Sequence, residues 1–186
     1  PHSAGSEPGP ACYDRGGSEP TVTDASLVLG LIDPDFFAGG RFNLNIDKAY
    51  NAISENIAKP LSLTVEESAL GIHKVLNAQM AEGIRFVSIK QGFDPRDFVL
   101  MGLGGGGPLH ACELANELSI RKVLVPIQPG VLSAQGLLSA PIEHEVSSSF
   151  GKVLKQVSIS DVKKGLNELS SEAGKLMARE GIGLQD

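Results

Sequence analysis

The chain has 186 residues, 41% hydrophobic and 20% charged, with a formal net charge of −6. That suffices for one domain or one domain and part of another, and it is too apolar and too weakly charged for wholesale disorder. No apolar run reaches the ~18 residues of a membrane span, and the acidic excess offers nothing to nucleic acid or anionic lipid.

Two cysteines, Cys12 and Cys112, cannot build a disulfide framework or a four-thiolate zinc site, so a reducing, cytoplasmic setting is expected. The first residue is Pro1, and no basic-then-apolar leader follows, as expected of a piece cut from a longer chain. There is no Trp, so the core is expected to consist of Leu, Ile, Val and Ala with a few Phe.

Glycine and proline recur through residues 1–20 and exclude helix and regular strand. Cys12 and Tyr13 in their midst point to an ordered loop packed on the domain. Residues 23–30 read as a short helix with Thr23 as N-cap and Gly30 as its stop. Phe42, Leu44 and Ile46 alternate as in a short strand. Asp47 to Lys59 reads as a helix ending before Pro60.

Thr64 and Glu67 have capping-box spacing. Val65, Ala69, Ile72, Leu76, Met80, Gly83 and Val87 follow at steps of three or four. A helix from Thr64 to Gly92 is predicted, with its apolar stripe across a sheet. Phe98 to Leu103 and Lys122 to Pro126 read as buried strands flanking a helix from Pro108 to about Leu118. A turn at Pro129-Gly130, a short helix from Val131 to Leu138 and a strand or extended segment from Ile142 to Phe150 complete an α/β grammar. A helix from Ser160, stopping at Gly181 or Gly183, is placed in a separate segment: residues 1–150 form one domain, and 151–186 a linker and the opening of another.

The strongest functional signal is Gly102-Leu103-Gly104-Gly105-Gly106-Gly107-Pro108-Leu109-His110. Four consecutive glycines between strand and helix let a ligand approach the main chain, and a helix start aims free amides at it. Pro108 suits the first helical turn. Nucleotide or anion binding at Gly104, Gly105, Gly106, Gly107 and Pro108 is the expectation, against a tight crossover that needs glycine for clearance only.

Gly102, Gly104 and Gly107 also spell G-x-G-x-x-G. No Asp or Glu lies between Glu117 and Glu143 to hold a ribose, which argues against a dinucleotide fold. No Walker lysine is present.

His2, His73, His110 and His144 show no helical ligand spacing, so no metal site is expected from this chain. His110 either touches a ligand or is a surface or capping residue. His144, between Glu143 and Glu145, reads as part of a solvated charge cluster. Asp24 is either a catalytic or cation-associated acid or a first-turn acid stabilising the helix dipole. Nothing beside Cys12 in sequence would activate it as a nucleophile.

Several blocks carry a resemblance. PHSAGSEPGPACYDRGGSEPTVTDA from Pro1 to Ala25, GFDPRDF from Gly92, GGGGPLHA from Gly104 and VLVPIQPGVLSA from Val123 resemble, in order, blocks of the hydantoinase A/5-oxoprolinase family. The departures are His2 where the family has Glu, Asp14 where it has Gly, and Gly106 where Ala is common.

The resemblance covers about residues 1–150. It implies an α/β fold, part of a ribonuclease-H-like ATPase subdomain of the actin, Hsp70 and sugar-kinase type, with helices on an incomplete mixed sheet. It implies ATP and Mg²⁺ as cofactors, with Gly104 to Gly107 and Pro108 as the adenosine-side loop. The D-x-G-G-T phosphate loops lie outside this sequence, so the fragment alone is expected to be inactive.

The implied activity is ATP-dependent opening of a cyclic amide, such as hydantoin or 5-oxoproline, through a phosphorylated amide. The implied partner is a B-type subunit or domain. The alternatives are the ATP-binding subunit of a ketone carboxylase and a non-catalytic assembly module. Asp24 and His110 remain candidate catalytic residues.

Overall fold

The computed structural model describes residues 3–151 and 153–182. Two units divide the chain, residues 1–134 and 135–186. The boundary after residue 150, read from composition, falls inside the second.

In the first unit the opening loop is ordered. A single 3-10 turn, Ala11–Tyr13, buries Ala11 and Cys12. Helix α1 spans Val22–Val28 and is capped by Thr21 rather than Thr23. The reason is Asp24, three residues beyond Thr21: its carboxylate returns to the Thr21 amide at 2.8 Å and completes a capping box.

The strand expected at Phe42 to Ile46 does not form. The Leu44 amide bonds the Pro34 carbonyl at 3.0 Å and the Asn45 amide bonds the Cys12 carbonyl at 2.8 Å, so these groups serve loop packing instead of a ladder. Phe42 nevertheless packs inward, with Tyr13 edge-on at 5.2 Å and Phe37 at 6.2 Å between ring centroids.

Helix α2, Ile46–Ile53, runs on through a π-helical stretch, Ser54–Ala58, into α3, Lys59–Leu61. The helix therefore passes Pro60 instead of ending before it. A proline ring presses on the carbonyl four residues back, and the wider turn immediately upstream relieves that clash.

Helix α4, Val65–Ile89, has the predicted Thr64–Glu67 capping box, and Gly92 follows it in the left-handed region at φ 81°. Its buried face keeps the start of the predicted stripe, Val65 and Ala69, with Ile72, Leu76 and Met80 half-buried, and departs from it toward the C-terminal end. Val65, Ser68, Ala69, His73, Asn77 and Ala81 are buried, whereas Val87 is 57% exposed. Nor does α4 lie across a sheet. It packs on α1 and on α5, Gly107–Glu117. A purely apolar template cannot register buried positions filled by Ser, His and Asn: His73 and Asn77 have partners across the helix interface, while Ser68 bonds back to the Thr64 carbonyl at 2.8 Å.

Strands β1, Leu100–Met101, and β2, Val123–Leu124, flank α5 and pair in parallel, Leu100 opposite Val123 and Met101 opposite Leu124. Among the described residues the expected mixed sheet is this parallel pair.

The core of the first unit forms three clusters. Ala25, Ile53, Ala58, Val65 and Ala69 join α1, the α2–α3 helix and α4. Ala81, Leu114, Ala115, Leu118 and Ile120 join α4, α5 and the strands. Cys12, Leu27, Leu44 and Ala49 fix the opening loop. The small residues of the first two clusters let helices approach closely, and the glycine loop is thereby held between β1 and the start of α5.

Helix α6, Leu132–Ser139, begins at the end of the first unit. No strand forms between Ile142 and Phe150 among the described residues. Helix α7, Ile159–Arg179, starts one residue before the predicted position, because Ser158 and Asp161 make its capping box. Gly181 follows at φ 78°, and Gly183 lies outside the described residues.

Candidate functional site

The glycine run separates into positions with different physical causes. A Cβ on Gly102 would lie 3.3 Å from Pro108 Cα and 3.4 Å from Ala111 Cβ, and one on Gly107 would lie 3.4 Å from the Gly102 carbonyl carbon. Gly102 gives clearance between strand and helix, whereas a side chain on Gly107 would come to ordinary contact distance. Gly104 sits at φ +77°, where side chains are strained, and its amide donates to the Pro129 carbonyl at 2.9 Å.

Gly105 and Gly106 have neither reason. Both lie outside the left-handed region, and a Cβ on either would meet nothing within 4 Å. Among the described residues no acceptor takes their amide hydrogens. Gly106 is the N-cap of α5, with Pro108 in the first turn and no side chain capping it. Idle amides at a helix start attract a hydrogen-bond acceptor or an electron-rich group from outside the chain.

Gly105 and Gly106 line a cavity of about 540 Å³. Val22, Thr23 and Ser26 of α1 form one wall, the loop carrying Leu31 to Ala38 a second, and Leu109 and His110 of α5 a third. Phe36, 71% exposed, stands at its edge. No Lys or Arg lines it, and Asp33 is its one carboxylate. The lining suits a flat, uncharged, partly polar ligand group and offers no counter-charge to phosphate.

His110 is 7% exposed and belongs to a line of polar side chains crossing three helices. Its ring stacks on His73 of α4, centroids 5.0 Å apart at 24°. His73 Nε2 lies 2.9 Å from Ser26 Oγ, which itself donates to the Val22 carbonyl. On the other side His110 Nδ1 lies 2.8 Å from Asn77 Oδ1, while Asn77 Nδ2 donates to Glu113 Oε2 at 3.0 Å. A carboxylate only accepts, so it orients the Asn77 amide. Asn77 Oδ1 must then accept from His110 Nδ1–H, which leaves Nε2 with a lone pair. Burial holds both imidazoles below the ordinary histidine range; His110 further lowers His73, and Glu113 opposes the shift at both.

Asp24 stands apart from this cavity. It is fully buried, and its two oxygens accept from the Cys12 amide at 2.7 Å, the Ala11 amide at 3.2 Å, the Thr21 amide at 2.8 Å and the Thr21 hydroxyl at 2.7 Å. It ties the opening loop to α1. Burial pushes the Cys12 thiol far up, and the Asp24 carboxylate adds to the rise, so Cys12 is an inert core residue. His144, in the second unit, lies 3.9 Å from Glu180.

The structure thus joins His110 to Gly105 and Gly106 and separates Asp24 from them. Sequence reasoning missed Ser26, His73, Asn77 and Glu113. The available signal was spacing, His73 with Asn77 at i, i+4 and His110 with Glu113 at i, i+3, which puts each pair on one helix face. Among the described residues no three His, Cys, Asp or Glu side chains group as a metal site.

Fold and loop define an α/β segment in which a glycine-rich turn joins a strand end to a helix start. Residues 1–146 match the family described as hydantoinase/oxoprolinase, and the chain belongs to that family. It is 39% identical over 185 residues to the caprolactamase alpha subunit of Pseudomonas jessenii, covering 98% of this chain and 27% of that one. It is 45% identical over 149 residues to the acetophenone carboxylase gamma subunit of Aromatoleum aromaticum, covering 80% and 20%. The solved nucleotide-free structure of acetone carboxylase, an enzyme of ATP-dependent acetone carboxylation, superposes with a TM-score of 0.78 at 27% identity, covering 95% of this chain and 26% of that one. The chain spans about a quarter of the length of such relatives.

Proposed function

We propose that this chain is the adenosine-side segment of an ATP site in the A-type subunit of an ATP-dependent cyclic amide hydrolase. In this reading it is a fragment of the second half of a ribonuclease-H-like ATPase domain, without the early strands of that half. The observation that carries it is the pair Gly105 and Gly106, which nothing among the described residues requires to be glycine, whose amides have no acceptor there, and which line a cavity without Lys or Arg. That lining accepts a nucleoside better than a triphosphate. Gly104 holds the turn, Gly107 and Pro108 start the helix, and His110 closes the wall.

The relatives support two chemistries, ring opening of a lactam and carboxylation of a ketone. Both need a carbonyl oxygen activated, which phosphorylation from ATP would supply. The phosphate loops and the acids that hold Mg²⁺ belong to other parts of the enzyme in this reading. A B-type subunit would complete the enzyme.

The test is ATP turnover by the complete protein with hydantoin, 5-oxoproline, caprolactam and acetone. Turnover stimulated by a cyclic amide supports the hydrolase, stimulation by acetone with bicarbonate supports the carboxylase, and none with any of them refutes both. The isolated 186-residue chain should bind ATP, ADP and AMP alike, at about millimolar Kd or ~4 kcal/mol, and release no phosphate. Turnover by that chain would show that it holds a complete site.

A further inference from the structure

We infer that His110 accepts, through Nε2, a hydrogen bond from a hydroxyl or amino group at the nucleoside end of the ligand, and that Asn77 and Glu113 are positioning residues holding it in the tautomer this requires. The inference rests on the proposed nucleotide site and names what reads the nucleoside there.

Three observations carry it. The first is orientation. Glu113 accepts from Asn77 Nδ2 and so fixes which end of that amide meets His110, and the hydrogen of the ring is committed to Nδ1. The second is access. Among the described residues every buried side-chain nitrogen or oxygen has a hydrogen-bond partner. His110 Nε2 has none among them, so it is the part of an otherwise buried ring that opens outward, and His110 lines the cavity beside Gly105 and Gly106.

The third is chemical complement. Among the described residues the loop amides are donors without acceptors and Nε2 is an acceptor without a donor, and Gly105, Gly106 and His110 line one cavity. A phosphate oxygen carries only lone pairs and would be repelled by Nε2. A ribose hydroxyl or an exocyclic amine can donate to it. Helices α4 and α5 contribute Asn77 and Glu113 from behind the ring, away from the ligand. Their role is indirect, and the His73 stack keeps the ring plane from turning.

The experiment uses the complete protein and four probes: ATP, its 2′-deoxy and 3′-deoxy analogues, and the triphosphate of purine riboside, which lacks the amine. Calorimetry on the wild type should show one analogue bound about tenfold more weakly than ATP, ~1.4 kcal/mol. His110→Phe keeps an aromatic ring against His73 and should weaken ATP by a similar factor while losing discrimination against that analogue. Asn77→Leu should lose part of the discrimination, and ¹⁵N spectra of its His110 ring should show mixed tautomers where the wild type shows Nδ1 protonated.

His110→Phe with wild-type affinity and wild-type discrimination overturns the inference while leaving the nucleotide site standing. A wild type that binds no ATP overturns both. Should the variants fail to fold, the wild-type spectrum decides. Upfield movement of the Nε2 resonance on adding ATP supports the hydrogen bond, and an unmoved resonance with ATP bound refutes it.

Discussion

Helix α1 carries two buried polar side chains two positions apart, and they face opposite fates. Asp24 is surrounded by chain donors on every side and leaves no acceptor capacity for a ligand. Ser26 opens a line of side chains that ends at His110, where one lone pair remains unclaimed at a cavity. Both clusters are polar and buried, and both draw on residues distant in sequence. The difference lies in what is left over: a saturated cluster fastens the fold, while a cluster with one open position beside idle amides is prepared for something that arrives.

The largest expected effect tests the fastening cluster. Asp24→Ala would strand the Ala11, Cys12 and Thr21 donors and should destabilise the protein by about 3–5 kcal/mol, read by chemical denaturation. A loss below about 1 kcal/mol would mean that the opening loop is held by its apolar contacts instead.

The glycine loop gives the next contrast. Gly106→Val should leave stability nearly unchanged, since a side chain there meets nothing, yet weaken ATP by at least about tenfold in calorimetry. Gly102→Val should do the reverse, lowering stability by roughly 1–3 kcal/mol through its clash with Pro108 and Ala111. Equal stability losses in the two variants would erase the distinction between clearance and ligand glycines.

Acid should expose the histidine line. The folded-state pKa values of His73 and His110 are depressed by burial, so above about pH 6.5 neither protonates in either state and stability is level. As pH falls below that value, the unfolded chain takes up protons first and stability declines. Thermal melts should fall between pH 7.5 and 5.5, and His73→Gln should reduce the fall.

The smallest effect belongs to Leu76. It is half-buried on α4, and Leu76→Ala should cost about 1 kcal/mol rather than the ~2–5 kcal/mol of a core leucine. A core-sized loss would restore the predicted stripe.

Local signals were legible in the sequence. Thr64 and Glu67 marked the start of α4, the glycine run marked the crossover between β1 and α5, and Gly92 and Gly181 marked exits. These depend on neighbours within a few residues. Thr23 was mistaken for the cap because Asp24 selects Thr21 by its side-chain return, and a Thr stands at both positions. The His110 environment was illegible for another reason. Asn77 and His73 lie 33 and 37 positions upstream, and only packing reveals that a polar face of α4 is the buried one. Asp24 and His110 looked alike as candidates because sequence does not show how many donors surround a carboxylate.

That polar face of α4 also acts as a key. Apolar helix interfaces lined by alanine tolerate sliding, since one small side chain replaces another after each turn of ~5.4 Å. Sliding α4 by one turn would take His73 from Ser26 and Asn77 from Glu113 at once, leaving several buried groups without partners. The helix therefore has a single register against α1 and α5, and the orientation of the His110 ring is set by Asn77 and Glu113, which do not line the cavity.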